Sequence, residues 1–213
     1  MEGACGVSRT DERVGYSPED VGARAFYGLL TSVILPRPIA WVSTVSSDGS
    51  DNLAPHSFFT VACVDPPVVQ FTSVGRKDSL RNVEQTREFV VCLASEPLLG
   101  KINDTSTDFP HGTSEFDRAG LTREPSRTVR PPRVAESPVA LECRFAGTTC
   151  FGDSTVVFGR VLHAVVSASV LRNGHPAVDL LRPLARLGGR DWSSIGEVHS
   201  LRRIPLAEWH QSR

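Results

Sequence analysis

The sequence predicts an all-β-dominated fold, a closed or nearly closed antiparallel barrel with short helical additions. Runs rich in β-branched and aromatic residues recur along the chain, and most are separated by hairpin-sized turns. Helical segments are too few to cover a parallel sheet through regular βαβ crossovers. The length of 213 residues suits one hydrophobic core, and a 40% hydrophobic content excludes global disorder.

Residues 1–16 read as a flexible arm, which leaves 17–213 as the folded domain. Ser17 then precedes Pro18, Glu19 and Asp20, a helix start with proline in the first turn and acids at the positive dipole end. The helix runs over about 18–30, shows Phe26, Leu29 and Leu30 on one face, and stops before Pro36. Residues 38–46, PIAWVSTVS, read as a strand, and the Asp48-Gly49 turn leads into a second over 53–64. Asp65, Pro66 and Pro67 make the next turn, before a third strand at 68–74. Asp78 or Ser79 caps a short helix to about Gln85, and 88–94 is the fourth strand. From about 96 to 137 the chain turns polar and rich in Gly, Pro, Ser and Thr, which is too long for an ordinary loop. It predicts an ordered excursion, with Ser114 capping a short helix over 115–119 that ends at Gly120. Strand character returns at 139–149 and 155–170, around a turn at Gly152 and Asp153. The RNGHP turn, the 180–187 run, the Gly188-Gly189 pair and a tail containing Trp192 complete the chain.

Lys and Arg number 23 against 24 Asp and Glu, so the net charge of -1 supplies no basic footprint for nucleic acid. No apolar run approaches membrane-span length, and the first residues lack the apolar centre of a signal peptide, which predicts a cytoplasmic protein. Repeats of solenoid period, a Walker glycine loop, a G-x-G-x-x-G after the first strand and an H-E-x-x-H motif are all missing.

The five cysteines are odd in number, widely spaced and without a CxxC pair, so neither a disulfide framework nor a zinc ribbon is indicated. Cys63, Cys92 and Cys143 lie in apolar segments and read as buried, whereas Cys150 near a turn reads as partly exposed. The six histidines show no metal-ligand spacing. His163 reads as structural, and His56, between Pro55 and Ser57, is the one to follow.

Three polar clusters interrupt the strands. Arg37 with Ser43 and Thr44 forms the first, NLAPHSFF at 52–59 the second, and TSVGRKDSLRN at 72–82 the third. The third joins hydroxyls, a glycine and cations to a helix start, and a phosphate ester needs that combination of positive charge and free amides. Arg76, Lys77 and Ser79 are its candidates, and the same run also reads as a solvated turn with a routine cap. Trp41, Phe58, Phe59 and Phe71 read first as core, although their nearness to these clusters allows a slot for a flat ring plus phosphate.

Six fragments follow one another between about Tyr27 and Pro205: PRPIAWVSTVSSDGSDNLAPHSFF, VVQFTSVGRKDSLRN after a double proline, EFVVCLASE, NDTSTDFPHGTSEFDRAGLT, PPRVAESPVALECRF and LARLGGRDW. Over this stretch the chain resembles the flavin reductase-like proteins of the FMN-binding split barrel superfamily. The order and spacing of these fragments make the resemblance specific. It implies a homodimeric six-stranded antiparallel split barrel holding FMN near the dimer interface. It also implies a reductase that takes hydride from NADH or NADPH and supplies reduced flavin to a partner monooxygenase. An FMN storage or delivery module, or an oxidoreductase that retains FMN and acts on another small organic substrate, fits the same resemblance.

Carried over residue by residue, Asn52, Ala54, Pro55, His56, Ser57 and Phe58 resemble the segment along the isoalloxazine. Thr72, Ser73, Lys77, Asp78 and Ser79 stand for the phosphate and ribityl end, and Ser43 and Thr44 for strand residues lining the same cleft. His56 and Trp192 replace tyrosines common in relatives. The resemblance assigns no catalytic side chain. His56 and His111 are the candidates for contacting substrate or tuning the flavin.

Overall fold

The strand-forming runs pair into one antiparallel sheet that curls until its two edges meet. In a computed structural model, which describes residues 13–209, seven strands hydrogen-bond in the order β3-β2-β6-β9-β10-β5-β4. They are β2 (Ala40–Val45), β3 (Asp51–His56), β4 (Phe59–Cys63), β5 (Val68–Val74), β6 (Glu88–Leu93), β9 (Val139–Phe151) and β10 (Ser154–Val166). The edge strands β3 and β4 are consecutive in the chain and separated only by Ser57 and Phe58. They form one stretch bent at a corner, its first half paired with β2 and its second with β5. Counted as chain stretches the barrel is six-stranded, and that corner is where its two edges meet. There the Thr72 amide donates to the Phe58 carbonyl at 2.9 Å, and His56 Nδ1 lies 3.2 Å from the Thr72 carbonyl oxygen.

Strict alternation along β2 and β6 sends side chains into two cores. Ala40, Val42, Phe89 and Val91 face the barrel interior with Phe71, Val157 and Cys143, where Leu80 and Val83 of α3 (Asp78–Thr86) plug one end. Ile39, Trp41, Val90 and Cys92 face outward into a second core with Ile102, Phe116 and Val134, supplied by the excursion. Both strands are therefore buried on both faces, which is why they read as near-continuous apolar runs. Inside the barrel Gly159 of β10 is required by close approach, because a Cβ there would lie 2.1 Å from the Phe89 ring.

The excursion carries α4 (Leu99–Asp104), α5 (Glu115–Arg118) and the two-residue strands β7 (Arg123–Glu124) and β8 (Arg133–Val134). Fully buried Glu142 of β9 anchors it, accepting from the Arg127 and Thr128 amides at 2.9 and 2.6 Å and from the Thr128 hydroxyl. Burial pulls the Glu142 pKa up, but these donors outweigh it and hold the carboxyl below its ordinary range. A three-stranded sheet of β1 (Arg37–Pro38), β13 (Leu184–Arg186) and β14 (Trp192–Ser194) flanks the barrel. The RNGHP turn joins β11 (Leu171–Arg172) to β12 (His175–Pro176), followed by α6 (Val178–Leu181) and, near the end, α7 (Leu206–Trp209).

Several sequence expectations change. The first helix is two, α1 (Pro18–Val21) and α2 (Ala23–Val33), because Gly22 breaks it at φ +80. No residue of α2 is buried, although Phe26, Leu29 and Leu30 make an apolar face. Neither Asp78 nor Ser79 caps α3; the cap position is Lys77, without a side-chain bond. Ser114 precedes α5 but spends its hydroxyl on Asp51 of β3. Cys63 is exposed at the irregular end of β4, whereas Cys92 and Cys143 are buried and Cys150 is exposed. Strand β10 ends at Val166, before a 3-10 turn over Ala168–Val170. The expected arm falls mostly outside the described residues, as do Cys5 and His210, while 13–16 form no helix or strand. Among the described residues no helix is long and apolar enough to cross a membrane, and no cluster of His, Cys, Asp or Glu is able to hold a metal ion.

Candidate functional site

Beside this corner lies a cleft of about 470 Å³, within the usual range for a small-molecule site. Its first wall is the bent β3–β4 stretch, which contributes Asn52, Ala54, Pro55, His56, Ser57 and Phe58. Its second wall is the end of β5 and the turn into α3, with Thr72 and Ser73 followed by Arg76, Lys77, Asp78 and Ser79. Twelve residues read from two separated segments of the sequence thus line one cavity. His111 lines it too, from the excursion.

Two buried side-chain bonds fix the α3 start against the barrel. Asn52 Nδ2 donates to Ser79 Oγ at 3.1 Å, and Asn82 Nδ2 donates to Thr44 Oγ1 at 3.0 Å. Because Ser79 Oγ accepts from Asn52, its own proton stays available to a ligand. The α3 amides have no side-chain cap, so the helix presents free donors at its positive end beside Lys77. All three cations of this wall already have carboxylate neighbours. Arg76 pairs with Glu84 at 2.7 Å, Lys77 with Asp108 at 2.9 Å, and Arg81 with Asp78.

His56 is a neutral group here. Burial pushes its pKa down to about 4, against a small upward pull from the Thr72 carbonyl and a further downward push from Lys77. Since the Thr72 carbonyl can only accept, Nδ1 carries the proton, and Nε2 is buried without a hydrogen-bond partner among the described residues. The ring leans on Phe71 at 4.7 Å between centroids. Burial also pushes the Cys92 and Cys143 thiols up to about 12, which leaves them inert as nucleophiles.

Three expected cleft residues do not line it. Ser43 and Thr44 sit on β2, which has strands on both sides and packed cores on both faces, so their side chains are fully buried. Thr44 instead helps to hold α3, and Ser43 Oγ has no hydrogen-bond partner among the described residues. Trp192 lies in β14, packed on the outer core, with the Arg186 guanidinium 4.7 Å from its ring centroid.

Other lining residues are not among the cleft candidates read from the sequence, although those of 105–115 lie in the NDTSTDFPHGTSEF run that carries part of the resemblance. Tyr27 of α2 meets Phe58 edge-on at 6.4 Å between centroids and extends the aromatic wall. Glu115 accepts from the Leu53 amide at 2.8 Å, clamping the open edge of β3, while burial raises its pKa. Residues 105–109 close the far side. Their base is tied to the fold through Thr105, whose Oγ1 accepts from Trp41 Nε1 at 2.9 Å.

A model of the flavin reductase-like domain matches residues 32–185, which include both walls of the cleft. The chain belongs to the flavin reductase-like family. An uncharacterized protein of Aquifex aeolicus is 40% identical over 170 residues, 77% of this chain and 87% of that one. The crystal structure of nitrilotriacetate monooxygenase component B from Bacillus cereus superposes with a TM-score of 0.86 at 30% identity, covering 89% of this chain and 99% of that one. The 2-nitrobenzoate 2-nitroreductase NbaA of Pseudomonas fluorescens gives 0.83 at 28% identity, covering 91% and 97%. These likenesses make this an FMN-binding flavin reductase-like protein with the split-barrel architecture.

The donor set fits that cofactor. A phosphate needs charge and directional donors, which Lys77, the free α3 amides and the Ser79 hydroxyl supply together. A flat ring needs a wall it can approach closely, and the corner offers peptide groups, a proline and the small side chains of Ala54 and Ser57.

Proposed function

We propose that this protein is an NAD(P)H-dependent FMN reductase, acting as a homodimer, that hands reduced flavin to a partner monooxygenase. The observation behind the reading is the joining of a peptide-lined corner and a donor-rich helix start in one cleft of a flavin reductase-like fold. The likeness to a monooxygenase component favours a partner oxygenase. Bound FMN supplies an acceptor for hydride and a carrier for the electrons. The chain's task is placement. Lys77, Ser79 and the α3 amides hold the phosphate end, and the corner from Ala54 to Phe58 holds the ring end. Tyr27 and Phe58 border the space in which a second flat ring stacks. Neutral His56 fixes the corner to β5 and carries no charge into the site at working pH.

A second reading, reduction of a small aromatic substrate by retained FMN, is favoured by the likeness to the nitroreductase. Steady-state kinetics separate the two. A flavin supplier consumes NADH or NADPH in proportion to added free FMN. An enzyme with retained flavin consumes it in proportion to an aromatic acceptor and ignores extra FMN.

Dimerisation is supported by apolar surface that one protomer leaves in water. Leu30, Val33, Ile34 and Leu35 at the end of α2 are exposed, as are Val61 and Val64 near the far end of β4.

A further inference from the structure

The excursion passes over the cleft at residues 105–113, and its two contacts with the far wall fall on the residues that begin α3. Asp108 Oδ1 lies 2.9 Å from Lys77 Nζ, and His111 Nδ1 lies 3.0 Å from Asp78 Oδ1. The chain's own carboxylate thus lies against the ammonium that is the site's phosphate donor. We propose that Asp108 is an internal competitor for the FMN phosphate at Lys77, and so a specificity-determining residue that sets how strongly the cleft prefers FMN over riboflavin. The inference rests on the reading of this cleft as an FMN site.

The chemistry is that of two anions and one cation. An ammonium has three donors, so Lys77 is able to touch both a phosphate and Asp108. Doing so would hold a carboxylate and a phosphate within a few ångströms of each other, and their repulsion favours one at a time. Phosphate binding therefore either releases Asp108 or proceeds against its field, and both routes weaken FMN. A ligand without the phosphate does not engage Lys77 and feels neither. The pair is exposed, with Lys77 at 60% and Asp108 at 83%, so solvent screens it and the competition is modest, about two- to fivefold in affinity. A competitor of that size leaves FMN bound yet exchangeable, as a supplier of free reduced flavin requires.

The test is a fluorescence titration of FMN and of riboflavin into the full chain, its Asp108→Asn variant, its Lys77→Ala variant and the double variant, at low ionic strength. Asp108→Asn is expected to tighten FMN about two- to fivefold and to leave riboflavin unchanged. In the Lys77→Ala background the same replacement is expected to have a much smaller effect on FMN. An FMN affinity that Asp108→Asn leaves unchanged overturns the proposal. So does weakening of FMN and riboflavin together, which would make Asp108 part of a closure over either ligand. Failure of all four proteins to bind FMN would overturn the assignment of the cleft itself, and the proposal with it.

Discussion

Lys77 and His56 are the two cleft residues whose chemistry yields numbers. A hydrogen bond to a charged group is worth about 1.5–3 kcal/mol, and because Asp108 already satisfies Lys77, the lower end applies. Lys77→Ala should weaken FMN by roughly 1.5 kcal/mol, about tenfold, while riboflavin stays within twofold; titration with both flavins checks this. His56 predicts a pH dependence of stability. Its pKa falls from 6.5 to about 4 on folding, so above pH 6.5 neither state carries the proton and the group contributes nothing to the slope. As pH drops from 6.5 to 4, the unfolded chain takes up a proton that the folded chain refuses, and stability falls by up to about 1.4 kcal/mol per unit. Below pH 4 this loss is complete. A His56→Phe variant, compared with the parent by urea denaturation at pH 6.5 and at pH 4, should lose about 2–3 kcal/mol less over that interval. Equal losses would show that the histidine is not held neutral.

Among the elements, β10 has the tightest constraint. A Gly159→Ala methyl would meet Phe89 ring atoms at 2.1 and 2.5 Å, and that ring is fully buried and packed edge-on against Phe71, so it has nowhere to turn. Chemical denaturation should show a loss of about 1–3 kcal/mol, the usual cost of overpacking. The strands themselves were legible because turn chemistry punctuates them. Asp48-Gly49, the Asp65-Pro66-Pro67 run and Gly152-Asp153 delimit β2 to β5 and separate β9 from β10 to within a few residues. The two walls of the cleft were legible for a related reason, since polar clusters in a strand-rich sequence have few places to go besides the open end of a barrel. Alternation along a strand does not say which face meets ligand when both faces meet core, and that is how Ser43 and Thr44 were misplaced. Glu115 and Tyr27 reach the cleft through contacts across 62 and 31 residues of chain, for which local pattern holds no trace.

Over the whole molecule, the balance of charge and the exposed end of α2 predict self-association through an apolar face. Replacing Val33 and Ile34 together by Glu should convert a dimer into a monomer in sedimentation equilibrium at micromolar concentration, with the far-ultraviolet circular dichroism unchanged, because both side chains lie in solvent in a single protomer. A parent protein that sediments as a monomer with FMN bound would contradict the dimer. Electron transfer is the central claim, and an anaerobic titration of the FMN-loaded protein with NADH and with NADPH tests it most directly. The account predicts that at least one of the two bleaches the oxidised flavin spectrum at one equivalent per FMN, and that adding oxygen restores it. A flavin that stays oxidised under excess of both nucleotides would contradict the account and leave the cleft a carrier of FMN without turnover.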